Sequence, residues 1–288
     1  MSPSPARGFL SSEFALRVGS AIAMLAVALS IAVLGGAWFA IGCAAVAVLI
    51  FTEYRRITVS AVLPAATWAA VAILAVTLAL WFLVPAPAAA IFAVGAGGGL
   101  CVWEVWRKSN CWATVGLAYS ALPFFALTSL RGDSEAGLHA LLFVFACVWA
   151  ADTLAYFAGR TIGGPKLAPA ISPRKTWSGF AGGVAGSLLA GPITLWALGL
   201  APSARAGLVA IGLSLMAQGG DLFESWIKRR FGVKDSGALI PGHGGVLDRI
   251  DGLIFASVAA WCLGALMGLL PPAGVSAGER LLSAIVLP

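Results

Sequence analysis

Residues 18–52 read VGSAIAMLAVALSIAVLGGAWFAIGCAAVAVLIFT, a stretch with no charged side chain and one break, at Gly35-Gly36. About 20 apolar residues in a helix cross the hydrocarbon core of a bilayer, since each adds about 1.5 Å. Two such runs in succession read as membrane helices joined by a tight glycine turn. The first run follows Arg7 and Arg17 as the core of a secretory leader would, but the second comes so soon that a retained helix is expected. Helices and closed barrels alone satisfy every backbone polar group in lipid. The short alternating segments of a barrel are not seen. Working outward, the same pattern gives nine predicted spans: 18–34, 37–52, 60–83, 87–104, 112–130, 137–157, 177–200, 206–227 and 247–270. The expected fold is therefore all-α, a polytopic integral membrane protein with about nine transmembrane helices.

Composition agrees. The 288 residues are 60% apolar and 10% charged, with mean hydropathy +0.95, where soluble domains carry about 25% charge. The net charge of +6 does not point to nucleic acid, because the basic residues punctuate apolar runs instead of clustering on a soluble domain. The five cysteines lie in or beside apolar runs and form no CxxC pair, so they read as small apolar residues. The smooth run GAGGGL at 95–100 reads as a helix-packing face.

Orientation follows from the 18 basic residues. With the N-terminus in the cytoplasm, only Arg131, Arg205 and Arg280 fall on the outer side, as the positive-inside rule requires. Nine spans then put the C-terminus outside. The longest inner segments are 158–176 and 228–246. The expected division is residues 1–110 for packing and dimer contacts, and 111–288 for a catalytic region facing the cytoplasm.

The acids locate that region. Glu13, Glu53, Glu104, Asp133, Glu135 and Glu279 lie at predicted span ends or in loops, where solvation accounts for them. Asp152, Asp221 and Glu224 lie inside spans, and Asp235, Asp248 and Asp251 lie close by. A carboxylate in a bilayer costs a few kcal/mol or more unless paired or hydrated. Asp221, Glu224, Ser225 and Lys228 are spaced i, i+3, i+4 and i+7, and Asp248 and Asp251 are spaced i and i+3. Each set lies on one helix face. Hard oxygen ligands of this kind suit magnesium, which shares its coordination with substrate phosphates.

The intervening stretch 228–252, KRRFGVKDSGALIPGHGGVLDRIDG, adds Lys228, Arg229, Arg230, Lys234 and Arg249. Its PGHGG turn offers backbone amides, and the helix beginning near Val246 offers a positive end, both suited to phosphate. His243 sits between glycines there and either contacts phosphate or holds the turn, whereas His139 lies at the outer start of a span as an interfacial residue. Upstream, SPRKT supplies Ser172, Arg174, Lys175 and Thr176 before a helix, as a cap or a phosphate contact. Carboxylates beside cations and amides describe a phosphoryl-transfer site.

These residues also carry a resemblance. SWIKRRFGVKDSGALIPGHGGVLDRID, at 225–251, resembles the signature of the phosphatidate cytidylyltransferases, or CDP-diglyceride synthases, at Ser225, Lys228, Arg229, Lys234, Asp235, Pro241, His243, Gly244, Gly245, Asp248, Arg249 and Asp251. DTLAYFAGRTIGGPKLAPAISPRKT, at 152–176, is similar to the same family, and the two segments cover about the C-terminal half. Ser178 departs from it, since many members carry an acid or glutamine after KTW. The resemblance implies an integral enzyme of the bacterial inner membrane that joins CTP and phosphatidic acid into CDP-diacylglycerol and pyrophosphate. It implies dependence on Mg2+, a second monovalent or divalent cation, membrane lipids as partners and a homodimer. The expected metal ligands are Asp221, Asp248 and Asp251. Lys228, Lys234, Asp235 and Arg249 are expected to act in catalysis. Asp152, Ser172, Lys175, Thr176, Ser225, Arg229, His243, Gly244 and Gly245 are expected to hold substrate. The alternatives are another metal-dependent lipid-phosphate transferase, an ion-coupled transporter, and a structural membrane subunit, which leaves the buried acids unexplained.

Overall fold

The computed structural model describes residues 6–237, 239, 240, 244–267 and 275–287, with the backbone alone for 6–17 and 61. Among the described residues, nine long helices run in order: α1 Ala6–Leu34, α2 Gly36–Thr58, α3 Pro64–Leu83, α4 Ala86–Trp106, α5 Trp112–Arg131, α6 Glu135–Thr161, α7 Trp177–Ala197, α8 Ala204–Arg230 and α9 Leu247–Met267. Eight are long and apolar enough to cross a membrane, and the Val18–Leu34 part of α1 is a shorter apolar helix. The all-α polytopic expectation holds. Residues 268–270 of the ninth predicted span lie outside the described residues.

Three elements escaped the sequence reading. A 3-10 turn covers Val59–Ala61, so α3 starts only at Pro64, where proline's missing N–H costs nothing. The inner segment 158–176 contains a hairpin of β1, Lys166–Ala168, and β2, Ser172–Thr176, with Lys166 opposite Thr176. A short amphipathic helix, α10 Ala277–Ile285, buries Leu281, Leu282 and Ile285 and is capped by Ser276, whose Oγ accepts from the Glu279 N–H at 3.1 Å.

The α1–α2 turn shows why the paired glycines were needed. Gly35 and Gly36 have φ of +63° and +49°, the left-handed region that favours glycine. A Cβ on Gly35 would also stand 2.5 Å from Arg131 Nη2. Arg131 is buried and donates to Ala32 O at 2.6 Å and Val33 O at 3.2 Å. These are carbonyls at the C-terminal end of α1, which has none of its own partners left.

The core has three clusters. One gathers α1 to α6 around Phe124 and Phe125, which meet Trp81 edge-on. A second joins α6, α8, α9 and α10. The third, with Ile50, Tyr54, Tyr119, Ile227, Leu247 and Ile254, brings α2, α5, α8 and α9 together beside the charged residues. Small residues make the α6–α7 contact: a Cβ on Gly186 would lie 2.6 Å from Ala150 O, and one on Gly183 3.1 Å from Ala151 O.

The glycine run of α4 differs from expectation. A Cβ on Gly95, Gly98 or Gly99 would meet nothing within 4 Å, and only Gly97 approaches a neighbour, Leu117. It is not a packing face within the described residues of this chain, while α7 supplies one that no GxG run advertised. We therefore expect Gly186→Ala to destabilise the protein by about 1–3 kcal/mol through overpacking, and Gly98→Ala to leave stability unchanged or raised. Thermal unfolding in detergent checks both.

Candidate active site

The ends of four helices, α6, α7, α8 and α9, and the hairpin line a cavity of about 850 Å³. α6 contributes Asp152, Tyr156, Gly159 and Arg160, which stand at i, i+4, i+7 and i+8 on one face. α8 contributes Gln218, Asp221, Glu224 and Lys228, and α9 contributes Asp248, Arg249 and Asp251. The hairpin adds Leu167, Arg174, Lys175 and Thr176, and the loop adds Asp235.

Close backbone approach builds these walls. A Cβ on Gly220 would lie 2.5 Å from Asp251 O, and one on Gly252 3.1 Å from Ala217 O. Glycines at both positions let α8 and α9 touch, which brings Asp221 and Asp251 to one wall. Across the cavity, a Cβ on Gly179 would lie 2.9 Å from Ala155 O and 3.4 Å from Gly159 Cα. That contact ties the start of α7 to the end of α6. Thr176 caps α7 by accepting from the Gly179 N–H at 3.1 Å, as its position before the helix suggested. Its hydroxyl bonds that of Ser178 at 2.9 Å, and Ser178 donates to Gly163 O. The residue that departs from the resembled pattern thus closes the base of the hairpin.

The charges are arranged in pairs. Lys228 Nζ lies 2.7 Å from Glu224 Oε2 and 2.8 Å from Asp248 Oδ1. Asp248 also accepts from the backbone N–H groups of Ser236, at 3.1 and 3.2 Å, and Gly245, at 2.9 Å. Lys175 Nζ lies 2.5 Å from Asp221 Oδ2, and Ser225 Oγ bonds Asp221 at 3.4 Å. Asp251 takes the N–H of Gly252 at 2.7 Å and interacts electrostatically with Asp221, Glu224 and Asp152. Glu224 is 2% exposed, and its Oε1 has no hydrogen-bond partner among the described residues.

This donor set fits a hard cation. The lining carries six acids, Asp152, Asp221, Glu224, Asp235, Asp248 and Asp251, against five bases, Arg160, Arg174, Lys175, Lys228 and Arg249. Fully ionised, it has no surplus positive charge to offset a polyphosphate, and a divalent cation would supply it. Among the described residues, no group of three or more His, Cys, Asp or Glu could hold a metal unaided.

Of the residues singled out from sequence, Asp152, Lys175, Thr176, Asp221, Lys228, Asp235, Asp248, Arg249 and Asp251 line the cavity. Ser172 starts β2 and Ser225 supports Asp221 from behind, neither in the lining. Arg229 turns to the hairpin, donating to Ile171 O and Val233 O, each at 3.4 Å. Lys234 is exposed. Gly244 bridges back to Ile240. Pro241 and His243 lie outside the described residues.

Two expectations are corrected. Glu53 and Glu104 are not solvated: they are 2% and 0% exposed. Glu104 accepts from Ala113 N–H at 3.3 Å, Thr114 N–H at 3.0 Å and the Thr114 hydroxyl at 2.7 Å, so it caps α5, whose own capping residue Cys111 makes no side-chain cap. Nor are the three amides that lead into α9 open to phosphate. Gly245 N–H is held by Asp248, and those of Val246 and Leu247 by Glu53. Sequence reasoning missed Arg160 and Gln218, and gave Glu224 no role although it placed that residue on the Asp221 face. The helical spacing from Asp152 would have reached Arg160; nothing local marked Glu53.

Comparison with known proteins fits this geometry. Residues 15–267 match the model of the cytidylyltransferase family. A Brucella abortus protein named phosphatidate cytidylyltransferase is 46% identical over 172 residues, 59% of this chain and 63% of the relative. One of the same name from Staphylococcus saprophyticus is 44% identical over 150 residues, 49% of this chain and 54% of the relative. The chain therefore matches less than two thirds of the length of these relatives. With most of its length matched by the family's model, and with its acids, hairpin and paired lysines gathered in one cavity, the chain belongs to the cytidylyltransferase family.

Proposed function

We propose that this chain transfers CMP from CTP to phosphatidic acid, giving CDP-diacylglycerol and pyrophosphate. The observation that carries the reading is the single cavity in which carboxylates and cations from α6, α8, α9 and the hairpin meet, where apolar helices end. The names of the relatives supply the substrate class.

The chemistry asks little of a general base. A phosphomonoester has its second pKa near 6, so the phosphate of phosphatidic acid is largely dianionic at neutral pH. One of its oxygens attacks the α-phosphorus of CTP, and the bond to the β-phosphate oxygen breaks, releasing pyrophosphate. The barrier lies in bringing two anions together and aligning them. Lys175, Lys228 and Arg249 offset the charge that gathers on the phosphates. Lys228 can do so without wandering, since Glu224 and Asp248 hold its ammonium from both sides. Asp221, Asp248 and Asp251 would hold Mg2+, with Asp152 close to Asp251 and Asp221, and the ion would supply charge neutralisation for the phosphates. The unpartnered Glu224 oxygen supports a second cation or bound water beside it.

The same reading puts the cavity on the cytoplasmic face of a bacterial inner membrane, where CTP arrives from water and the lipid from the bilayer. Support comes from Arg131 at the end of α5 and Arg205 at the start of α8, both at helix ends remote from the cavity. A homodimer belongs to the reading through the family resemblance.

The decisive assay offers purified protein phosphatidic acid and a polyprenyl phosphate in competition for CTP. Labelled CDP-diacylglycerol that vanishes with EDTA is the expected result, and preferential labelling of the polyprenyl lipid would overturn the substrate assignment. Asp251→Asn and Asp248→Asn are expected to lower turnover at least about 100-fold, as loss of transition-state electrostatics does, while the protein still inserts. Near-normal turnover in either removes that residue from the metal set. Lys228→Met leaves Glu224 buried without its counter-charge. We expect about 3 kcal/mol of lost stability, part of it restored in Lys228→Met/Glu224→Gln, by denaturant unfolding.

A further inference from the structure

α9 follows Gly244-Gly245-Val246 and so has no polar side chain of its own at its capping position. The first amides of any helix lack intrahelical partners. Here the partner comes from α2, more than 190 residues earlier. Glu53 Oε1 accepts from Val246 N–H at 3.0 Å, and Oε2 accepts from Leu247 N–H at 2.8 Å and from the Ser236 hydroxyl at 3.0 Å. One carboxylate therefore ties Ser236 to Val246 and Leu247. Its surroundings are shaped to it: a Cβ on Gly237 would lie 2.9 Å from Oε1, and one on Gly245 2.5 Å from Oε2. The negative charge also faces the positive end of α9.

The grip reaches the cavity through Ser236. Its hydroxyl is held by Glu53, and its N–H donates to both oxygens of Asp248. Asp248 in turn holds Lys228, and Lys228 holds Glu224. Glu53 itself is not part of the cavity lining. We infer that Glu53 is a positioning residue: it clamps the loop whose amides orient Asp248, and thereby sets the Asp248–Lys228–Glu224 chain. Its charge matters as well as its shape. Two oxygens receive three donors, and a glutamine there would turn an NH2 group toward one of them. The kinetic part of the test rests on the proposed transferase activity; the clamp is read independently of it.

Wild type, Glu53→Gln and Glu104→Gln, purified in detergent, decide the matter. Glu104 is the control, since it is equally buried and caps a helix, but its hydrogen bonds go to Ala113 and Thr114 and not to Ser236, Val246 or Leu247. In hydrogen–deuterium exchange, the 236–252 peptides of Glu53→Gln are expected to exchange at least about tenfold faster, with no change there in Glu104→Gln. In the CTP and phosphatidic acid assay, kcat of Glu53→Gln is expected to fall about 10- to 100-fold, with KM for the lipid within about threefold. Glu104→Gln is expected to lose thermal stability yet keep kcat within about twofold. If Glu53→Gln does not fold, Ser236→Ala, which cuts only the link to Asp248's partner, is expected to speed loop exchange and lower kcat about threefold or more. Wild-type exchange and kcat in a folded Glu53→Gln or Ser236→Ala would overturn the inference, as would an equal kcat loss in Glu104→Gln. Should the wild type make no CDP-diacylglycerol, the activity reading fails and loop exchange alone judges the clamp.

Discussion

A carboxylate set among apolar helices must find a positive charge, a hydrogen-bond donor or bound solvent, and that requirement organises this molecule more than any hydrophobic contact does. Glu224 and Asp248 lie on different helices, and a single ammonium, that of Lys228, stands between them. To make that bridge, α8 and α9 must touch, so Gly220 and Gly252 occupy the crossing. Asp248 must also be turned toward the loop, so the amides of Ser236 and Gly245 converge on it. Once those conditions are met, Asp221 and Asp251 share a wall, and Lys175 from the hairpin answers Asp221. The cavity is what remains between groups that cannot be left unpaired.

Its place at the helix ends follows from the same constraint. A nucleoside triphosphate cannot enter hydrocarbon, and a diacyl lipid cannot leave it. A reaction between the two needs charge at the boundary, held by rigid elements and not by loops alone. The paired arrangement also bears on the proposed reaction. The cavity's cations are matched by its acids, so a polyphosphate substrate would need a divalent cation beside it to balance the charge. An ion-coupled transporter would use intramembrane acids too, but would have no call for a hairpin and lysines at the mouth.

Much of this was legible in the sequence because the relevant signals are periodic and local. Apolar runs marked the helices, and the i, i+3, i+4, i+7 spacing put Asp221, Glu224 and Lys228 on one face, as found. Asp221, Lys228, Asp248 and Asp251 line one cavity for that reason, while Lys175 and Thr176 reach it from the hairpin and Asp235 from the loop. The failures are equally physical. Glu53 and Glu104 each sit near a run end beside arginine or lysine, which looks like an ordinary interface; their partners are far along the chain or on the next helix, and no spacing rule reaches them. The GAGGGL run looked like a packing face because glycine content says that backbones can approach, not that they do. The hairpin escaped because its strands are three and five residues long, too short for an alternating pattern to register.

The proposed reaction joins a lipid phosphate to the α-phosphate of a nucleotide. Two parallel incubations of the purified protein with phosphatidic acid and magnesium test it most directly, one with CTP labelled at the α-phosphorus and one labelled at the γ-phosphorus. The account predicts α-label in the chloroform-soluble lipid and γ-label in pyrophosphate. Transfer of the γ-label to lipid, or lipid labelling that survives Asp251→Asn, would contradict it.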